Sequence, residues 1–485
     1  MSEPTLRNRA VSGVGWSAAE AFLGQGVTFI VGIILARILT PAEYGLIGIV
    51  TIFTVVLTGI VDSGFSNALI RKNGTTQEDY DTMFITNMVM SIFLFILLYV
   101  SSPFIAVYFD RLELTDLTRV TGLILIIQAL SLVQNTILTK RIDFKTKTKA
   151  SIVSAIVSGV VGIVMAYTGF GVWALVGQIL SKQLISTIVL WLLTNWKPTF
   201  QFRTASFKYM WGFGWKLMVS GLLSNIWNQL YQLVVGKFYS PDALGQYTRS
   251  KDYASILSSN FTSIIQRVSF PVLAEIQNDK VRLVEGYKKV ISLTMFVTAI
   301  SMISLGAIAD PLIYCLIGPQ WKMAAELLPL ICVSLSFYPL HAINLNMLQV
   351  EGRSDIFLIL EIVKKVVAIG PICLGIFVSI YWMLVGSILA GIINFFLNSY
   401  YSGKSIGYSS WMQLKDVLPS YEIAFVIALS VYFLKYLPLS YWIILPLQIV
   451  VGGLVFFIIC KAFKVEEYEE IKEMIKTYIG KLKKQ

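Results

Sequence analysis

The stretch TMFITNMVMSIFLFILLYVSS, residues 82–102, runs for 21 residues without a charged side chain. A helix needs roughly 20 predominantly apolar residues to cross the hydrocarbon core of a bilayer. Comparable stretches recur from Gly15 to Cys460. Because the bilayer core offers no water to unpaired backbone groups, spanning segments must be helices or strands of a closed barrel. These stretches are too long for barrel strands, so the sequence predicts an all-α membrane protein.

The composition supports the same class of protein. The chain has 485 residues, of which 56% are hydrophobic and 14% charged, and its mean hydropathy is +0.71. Soluble domains carry about a quarter of charged residues. The net charge of +11 would suggest a nucleic-acid partner in a soluble protein. Here most basic residues lie in short loops between apolar stretches, so no nucleic-acid partner is expected.

We predict about fourteen spanning helices. The expected starts lie near Gly15, Gly45, Thr82, Arg119, Ala150, Val172, Gly212, Asp252, Tyr287, Met323, Ile356, Tyr381, Ser420 and Tyr441. With the amino terminus placed inside, 27 Lys and Arg residues fall in inside segments, 8 fall outside and four fall within spans. Loops rich in Lys and Arg stay in the cytoplasm, so both termini are predicted to be cytoplasmic.

The sequence contains an internal repeat at an offset of about 200 residues. The segment RILTP followed by Gly45 matches KFYSP followed by Gly245; GVGW at 13–16 matches GFGW at 212–215; WALVGQIL at 173–180 matches WMLVGSIL at 382–389. Two copies of six spans share one orientation, as in transporters with parallel repeats that bind substrate between the two copies. We predict an N-lobe at 1–200 (spans 1–6), a C-lobe at 201–403 (spans 7–12) and spans 13 and 14 at 404–463.

The tail at 464–485 is predicted to be a cytoplasmic amphipathic helix. Its apolar residues are spaced three or four apart from Val465 to Leu482, with Lys and Glu between them. This spacing is typical of a helix that lies on a membrane surface. A solvated charged tail without a role is the alternative.

Polar side chains concentrate on spans one, two, seven and eight. In span seven the amides follow i, i+3, i+4, i+7 spacing beside aromatic residues; in span one the positions 200 residues earlier are also polar; span two adds hydroxyls and a carboxylate. Polar groups inside a bilayer are costly and mark transport pathways. We predict that they line a central cavity, with hydrogen bonding between helices as the alternative. The members are, on span seven, Asn225, Trp227, Asn228, Gln229, Tyr231 and Gln232; on span one, Glu20, Gln25 and Thr28; on span two, Thr58, Asp62 and Ser66; and on span eight, Ser255, Ser258, Ser259, Asn260, Thr262, Ser263, Gln266 and Arg267.

Basic residues within or near spans are candidates for binding phosphate. Arg267 and Lys182 have no carboxylate nearby in sequence, so each is predicted to face a ligand or a distant carboxylate such as Asp62 or Glu20. Lys364 and Lys365 follow Glu361 by three and four residues, which leaves an internal ion pair equally open. Lys216 and Arg37 lie nearer the membrane faces.

One motif points towards an enzyme. Asp79-Tyr80-Asp81 has the Asp-x-Asp spacing by which many glycosyltransferases hold a metal and a nucleotide sugar. No nucleotide-binding domain accompanies it, and the sequence lacks a Walker loop, GxSxG and metal-ligand spacing. We therefore expect the two aspartates to be charged loop residues without a catalytic role, and we expect no metal or cofactor.

Three segments of the chain carry a resemblance to a known family: ARILTPAEYGLIGIV at 36–50, DSGFSNALIRK at 62–72 and LTKRIDFKTKTKASIVSAIVSGVVGIVMAYTGFGVWALV at 138–176. They resemble Wzx-type polysaccharide flippases of the multidrug/oligosaccharidyl-lipid/polysaccharide exporter superfamily, especially the colanic-acid and teichuronic-acid exporters. The resemblance implies two six-helix lobes forming a V, plus two final helices. It also implies alternating-access export of an undecaprenyl-pyrophosphate-linked oligosaccharide across the bacterial inner (plasma) membrane for surface polysaccharide biosynthesis. Membrane lipids, and polymerases or glycosyltransferases of that pathway, are the implied partners.

Two other functions stay open at this point. A cation-coupled drug or small-solute exporter of the same fold would have a more apolar and acidic cavity than the amides and cations predict. A membrane-embedded polysaccharide polymerase or ligase would usually carry a large external loop with catalytic residues, and the sequence has none.

The basic asymmetry generates a topology prediction. A reporter fused after Gln485 should be cytoplasmic, and one inserted in the loop at 110–116 should be external, because 27 basic residues against 8 favour that orientation. Alkaline phosphatase and fluorescent-protein fusions measure the two positions. Finding both reporters on the same side would contradict the number of spans between them.

Overall fold

The computed structural model describes residues 23–276, 279–350, 353–404 and 406–482. Within its helices the side chains at 260, 263–272, 274, 354, 474–475 and 477–482 are not described. Over the described ranges the chain is helical and contains no β-strand. It divides into two compact units, an amino-terminal unit at 1–245 and a carboxy-terminal unit at 246–485.

The amino-terminal unit contains nine helices among its described residues, and a tenth begins within it. They are α1 (Gln25–Ile38), α2 (Pro41–Asp62), α3 (Phe65–Arg71), α4 (Gln77–Tyr108), α5 (Leu114–Thr121), α6 (Ile124–Lys140), α7 (Phe144–Tyr167), α8 (Trp173–Leu193) and α9 (Thr204–Phe238), followed by α10 (Pro241–Glu275).

The carboxy-terminal unit takes most of α10 and continues as a helical bundle. Its further helices are α11 (Lys280–Ala307), α12 (Ala309–Leu316), α13 (Lys322–Ser336), α14 (Tyr338–Val350), α15 (Ser354–Val367), α16 (Ile369–Phe377), α17 (Ile380–Lys404), α18 (Ser410–Tyr432), α19 (Tyr441–Ala462) and α20 (Glu466–Leu482).

Within the described ranges, ten helical segments are long and apolar enough to cross a membrane. The predicted all-α, multi-pass membrane protein is therefore confirmed. The other predicted spans fall on α1, of which 14 residues are described, on the more polar 35-residue helices α9 and α10, and on the consecutive short helices α15 and α16. The total of fourteen, the repeat and the V remain predictions.

Helix α9 belongs to the amino-terminal unit, where it packs on α2, α3 and α4. Glycines make this approach possible. A side chain at Gly214 would lie 2.6 Å from the carbonyl oxygen of Ser63, and one at Gly64 would lie 2.7 Å from the carbonyl oxygen of Gly214. Gly64 also has φ +69°, a conformation that favours glycine. The compact units thus separate at 245, whereas the lobe boundary at 200 predicted from the repeat concerns symmetry and remains a prediction.

The starts of α2 and α10 pack against each other reciprocally. Each helix begins with a hydroxyl residue followed by proline: Thr40 forms a capping box with Glu43, and the Ser240 hydroxyl accepts from the backbone N–H of Ala243 at 3.1 Å. A Cβ at Gly45 would overlap the carbonyl oxygen of Pro241, and a Cβ at Gly245 would overlap that of Pro41. Matched segments of the sequence repeat therefore meet backbone to backbone.

In the carboxy-terminal unit, the tail helix α20 is attached to its neighbours. Lys289 on α11 forms an ion pair with Glu470 at 2.7 Å. The ring of Tyr468 lies 5.8 Å from that of Phe456 and 6.5 Å from that of Phe457 on α19. The described part of the tail is thus a packed helix, and its place in the cytoplasm remains a prediction.

The two glycine contacts generate a stability prediction. Gly45→Ala and Gly245→Ala should each lower the melting temperature by at least about 3 °C, because overpacking against backbone costs about 1–3 kcal/mol and backbone cannot rotate aside. Differential scanning fluorimetry in detergent measures the effect. The control is Gly221→Ala in α9, where a Cβ meets open space and alanine should be neutral or stabilising. Equal melting temperatures in all three variants would contradict the close contact.

Candidate functional site

The predicted amide stripe lies on α9, where its residues differ in exposure. Asn228 is exposed, whereas Asn225, Gln229 and Gln232 are half-buried. Asn225 points towards α2, since a Cβ at Gly59 would lie 2.6 Å from its Nδ2. The Gln229 Oε1 atom is buried and accepts no hydrogen bond from the described part of the chain. The stripe thus serves helix packing at Asn225 and is exposed at Asn228, which also takes part in a contact with another residue.

The side chains around this stripe are partly accessible. Trp227 and Tyr231 are both half-buried, so each ring keeps part of its surface uncovered. Lys216 is exposed nearer the start of the same helix. Helix α9 therefore offers amides and aromatic rings along the stripe, and two exposed cations, Lys208 and Lys216, closer to its first residue.

Lys182 lies near the middle of α8, and its ammonium donates to the hydroxyl of Thr28 on α1 at 3.2 Å. Thr28 in turn donates to the carbonyl oxygen of Gly24 at 2.9 Å. Among the described residues no carboxylate pairs with Lys182 within 4.0 Å. The predicted distant partner Asp62 is bonded elsewhere, so the described contacts of Lys182 are with a neutral hydroxyl.

A cavity of about 300 Å³ lies beside Lys182 and is lined by residues of α6, α7 and α8. On α7 its lining includes Lys147, Ser151 and Ser154, and on α8 it includes Lys182, Gln183 and Ser186. Asn135 lines it from α6. None of its lining residues is acidic. Four apolar residues, Ile124, Ala150, Ile179 and Leu190, complete the lining. The cavity therefore places two positive side chains, two amides and three hydroxyls among apolar groups, inside a helical bundle of membrane-spanning length.

Sequence reasoning identified Lys182 but missed the cavity. The signal is present as two matching faces: Lys147, Ala150, Ser151 and Ser154 lie at i, i+3, i+4 and i+7 on α7, and the face of α8 that starts at Ile179 repeats that spacing. Because Lys147 precedes an apolar run, the sequence alone assigns it to a basic loop. The pairing of α7 with α8 is needed to bring the two faces together.

Asp62 is the last residue of α2 and lies at its junction with α3. Its Oδ1 accepts from the Ser66 hydroxyl at 2.5 Å and from the Ser66 backbone N–H at 3.4 Å. The Ser66 hydroxyl also accepts from Thr136 on α6 at 3.0 Å. A carboxylate at a helix start is stabilised by the unpaired N–H groups there. Asp62 therefore has a structural environment that joins α2, α3 and α6.

The remaining predicted site residues are placed differently. Gln25 and Arg37 on α1 are exposed, and Arg37 takes part in a contact with another residue. Glu20 lies outside the described residues, and the side chain of Arg267 on α10 is also outside them. Lys364 pairs with Glu361, as the internal ion-pair alternative predicted. These positions leave the role of Arg267 as a prediction.

The Asp-x-Asp motif is engaged in hydrogen bonds at the start of α4. Both carboxylate oxygens of Asp79 accept from the Lys72 ammonium at 2.7 Å, and one accepts from the Thr76 N–H at 2.9 Å. Asp81 accepts from the Thr199 N–H at 3.2 Å and from the Thr199 hydroxyl. Both aspartates are buried. Their oxygens connect α4 to neighbouring loops. These contacts indicate a structural role for the two aspartates.

A second larger cavity, of about 470 Å³, lies along α15, α16 and α17 in the carboxy-terminal unit. Its lining carries no amide, hydroxyl or charged group. An apolar hollow of this kind on a membrane protein has nothing to select a polar ligand. The polar groups of the amino-terminal unit are therefore the candidate site.

The chain belongs to a family described as polysaccharide biosynthesis protein, whose model matches residues 34–326. The matched range contains α2 to α9, and with them the amide stripe and the cavity beside Lys182. The predicted membership in a family of polysaccharide exporters is thereby confirmed. Membership also favours transport over an enzymatic activity of this chain.

Curated relatives agree with the family. The chain is 25% identical over 359 residues to the teichuronic acid biosynthesis protein TuaB of Bacillus subtilis (strain 168), covering 73% of this chain and 74% of TuaB. It is 24% identical over 373 residues to the succinoglycan biosynthesis transport protein ExoT of Rhizobium meliloti (strain 1021), covering 77% and 76% respectively.

The fold agrees with a solved transporter. The lipid II flippase MurJ in an inward closed conformation superposes with a TM-score of 0.70 at 17% sequence identity, covering 93% of this chain and 98% of MurJ. At that identity the similarity concerns the fold. The chain thus shares the fold of that flippase.

The aspartate contacts generate a prediction that separates structure from catalysis. Asp79→Asn should lower the free energy of unfolding by about 1–3 kcal/mol, because it removes the charged partner of Lys72. The amount of monodisperse protein and its melting temperature measure the loss. The matched control is Asp116→Asn, since Asp116 is 74% exposed. A metal-dependent activity that disappears in Asp79→Asn at unchanged stability would contradict the structural role.

Proposed function

We propose that this protein flips an undecaprenyl-pyrophosphate-linked oligosaccharide from the cytoplasmic to the outer leaflet of the bacterial inner membrane, with both termini in the cytoplasm. The observation that carries the proposal is the amide and aromatic face of α9, at Asn228 and its neighbours, in a chain of the polysaccharide biosynthesis family. The product would feed surface polysaccharide assembly, with polymerases or glycosyltransferases of the pathway as partners.

The chemistry of this face suits a glycan. A primary amide both donates and accepts, as a sugar hydroxyl does, so one Asn or Gln can pair with neighbouring hydroxyls. The half-buried rings of Trp227 and Tyr231 can cover the apolar face of a sugar ring. None of these groups carries charge. They can release the glycan after transport, because no strong ionic attachment has to be broken.

The amphiphilic substrate divides its parts between two environments. The polyprenyl chain remains in lipid, where it costs nothing, while the glycan needs a polar route across the apolar core. A helical bundle with a polar face supplies that route. Alternating exposure of the face to the two sides would move the glycan without breaking a covalent bond.

The two alternatives have less support. A drug exporter of the same fold would use an apolar and acidic site, whereas the described cavity has lysines, amides and hydroxyls beside four apolar residues and no acidic residue. A polymerase or ligase needs catalytic groups, and the aspartates of the Asp-x-Asp motif are already paired with Lys72 and Thr199. Family membership also favours the exporter of a polysaccharide precursor.

The test uses proteoliposomes loaded with a fluorescent undecaprenyl-pyrophosphate oligosaccharide. Movement of the lipid to the opposite leaflet is measured as protection from a membrane-impermeant quencher. The wild-type protein should accelerate the movement over protein-free vesicles. Asn228→Ala and Gln232→Ala should each lower the rate about three- to tenfold, because each loses hydrogen bonds worth about 0.5–1.5 kcal/mol to the glycan.

The control is Gln201→Ala, which removes an exposed amide from the loop before α9 and should leave the rate unchanged. A fluorescent lipid that lacks the glycan should be moved equally by the wild-type and Asn228→Ala proteins. No acceleration by the wild-type protein, or acceleration only of a cationic dye, would contradict the proposed function.

A further inference from the structure

We propose that the kink between α13 and α14 is a hinge, at which the first half of one membrane-spanning segment changes its angle to the second half during transport. The segment is Pro319–Val350, and its helix is interrupted at Phe337, between the end of α13 and the start of α14. It lies wholly within the carboxy-terminal unit. The inference goes beyond the proposed function, which enters only through one readout of the test.

The first argument is the backbone at the kink. Pro339 is the second residue of α14 and has no backbone N–H, so the carbonyl oxygen of Leu335 lacks the donor that a regular helix would supply. This oxygen accepts instead from the Phe337 N–H and from the hydroxyl of Ser258 on α10, the latter at 3.1 Å. An unpaired carbonyl is costly in the bilayer core. Pro339 therefore weakens the helix at one point, and Ser258 supplies a bond from outside the segment.

The second argument is that α13 is bonded to α10 through its backbone. Gln246 donates to the carbonyl oxygen of Gln320 at 2.8 Å, just before α13, and accepts from the backbone N–H of Ala324 at 2.9 Å. Ser250 donates to the carbonyl oxygen of Ala324. Both side chains are buried, as is Ser258 at the kink. Side chains of α10 thus bond the backbone of α13 near its start and at its end, which holds the two helices together.

The third argument is that α14 is bonded to other helices. The side-chain oxygen of Asn344 accepts from the hydroxyl of Tyr287 on α11 at 2.8 Å and from the hydroxyl of Ser402 on α17. Nearer the kink, Nδ1 of His341 lies 3.5 Å from Nδ2 of Asn398, also on α17. The two halves of one segment therefore have different sets of partners. A weakened joint between two such halves is where a spanning helix bends most easily.

The fourth argument is the kind of contact around the kink. The Ser336 hydroxyl lies 2.8 Å from the hydroxyl of Tyr421 on α18, and the rings of Phe337 and Tyr421 stack with their centres 5.7 Å apart. The end of α13 also meets α17 through the hydroxyls of Ser334 and Ser387, at 2.9 Å. Hydroxyl pairs can exchange partners and stacked rings can slide. A change of angle at the kink therefore leaves the backbone hydrogen bonds within both helices intact.

The test uses the full chain in phosphatidylcholine nanodiscs, with amide hydrogen exchange over residues 335–341 measured by mass spectrometry. Pro339→Ala restores the missing N–H at the kink. Exchange should become about three- to tenfold slower than in wild type, as expected for one added hydrogen bond. In the proteoliposome assay the same variant should flip the lipid at least about threefold more slowly, because the straightened segment resists bending.

The matched control is Pro329→Ala, since Pro329 lies in the same segment but inside the uninterrupted helix α13. Its exchange over 335–341 and its flipping rate should stay within about twofold of wild type. Unchanged exchange in Pro339→Ala, an equal effect of the two substitutions, or a wild-type flipping rate in Pro339→Ala overturns the hinge. A wild-type protein that flips nothing contradicts the proposed function, whereas the exchange rates still decide whether the kink is a mobile joint.

A second set of variants keeps the hinge falsifiable where Pro339→Ala does not fold. Ser258→Ala removes the hydroxyl that bonds Leu335, so exchange over 335–341 should become about three- to tenfold faster. Ser258→Thr keeps a hydroxyl and should restore the wild-type exchange rate. The control is Thr262→Ala, which removes a buried hydroxyl that bonds within α10 itself and should leave the exchange unchanged. Equal exchange in the Ser258→Ala and wild-type proteins overturns the role of Ser258 at the kink.

Discussion

The absence of water from the bilayer core is the constraint on which the rest of this structure depends. Every backbone N–H and C=O that crosses the core must be bonded within the protein, and the helix satisfies them locally. The described chain accordingly consists of helices joined by short connections. Since helix backbones are self-sufficient, selectivity for a polar cargo has to come from side chains. The few polar side chains within the bundle therefore carry the functional information.

The lysines of the described bundle have two kinds of partner. Some pair with a carboxylate, Lys72 with Asp79 and Lys364 with Glu361. Lys140 donates to the carbonyl oxygens of Leu69 at 2.8 Å and Lys72 at 2.5 Å. These contacts fix helix ends and connections. Lys147 and Lys182 instead bond to hydroxyls beside a cavity. Lys147 and Lys182 thus differ from Lys72 and Lys364 in having a hydroxyl rather than a carboxylate as the recorded acceptor.

Close backbone contact is the second recurring device. Gly45 and Gly245 allow the starts of α2 and α10 to meet, and Gly64 and Gly214 allow α9 to approach the junction of α2 and α3. In a membrane the hydrophobic effect does not drive helices together, so small residues that permit dense packing take its place. Glycines 45 and 245, which the internal repeat aligns, thus also form one contact in space.

The sequence by itself determined the class of protein, the approximate positions of ten spans and the family, because long apolar runs and local motifs are properties of contiguous residues. It also located the Lys364–Glu361 pair, whose members lie one helical turn apart. Asp62 bonds Ser66 four residues later and Asp79 bonds Lys72 seven residues earlier, across the short connections that flank α3. The tertiary structure alone decided that Asp81 bonds Thr199 and that Lys147 and Lys182 line one cavity. The physical reason is that these groups meet across different helices, and which helix faces meet depends on side-chain packing over the whole bundle.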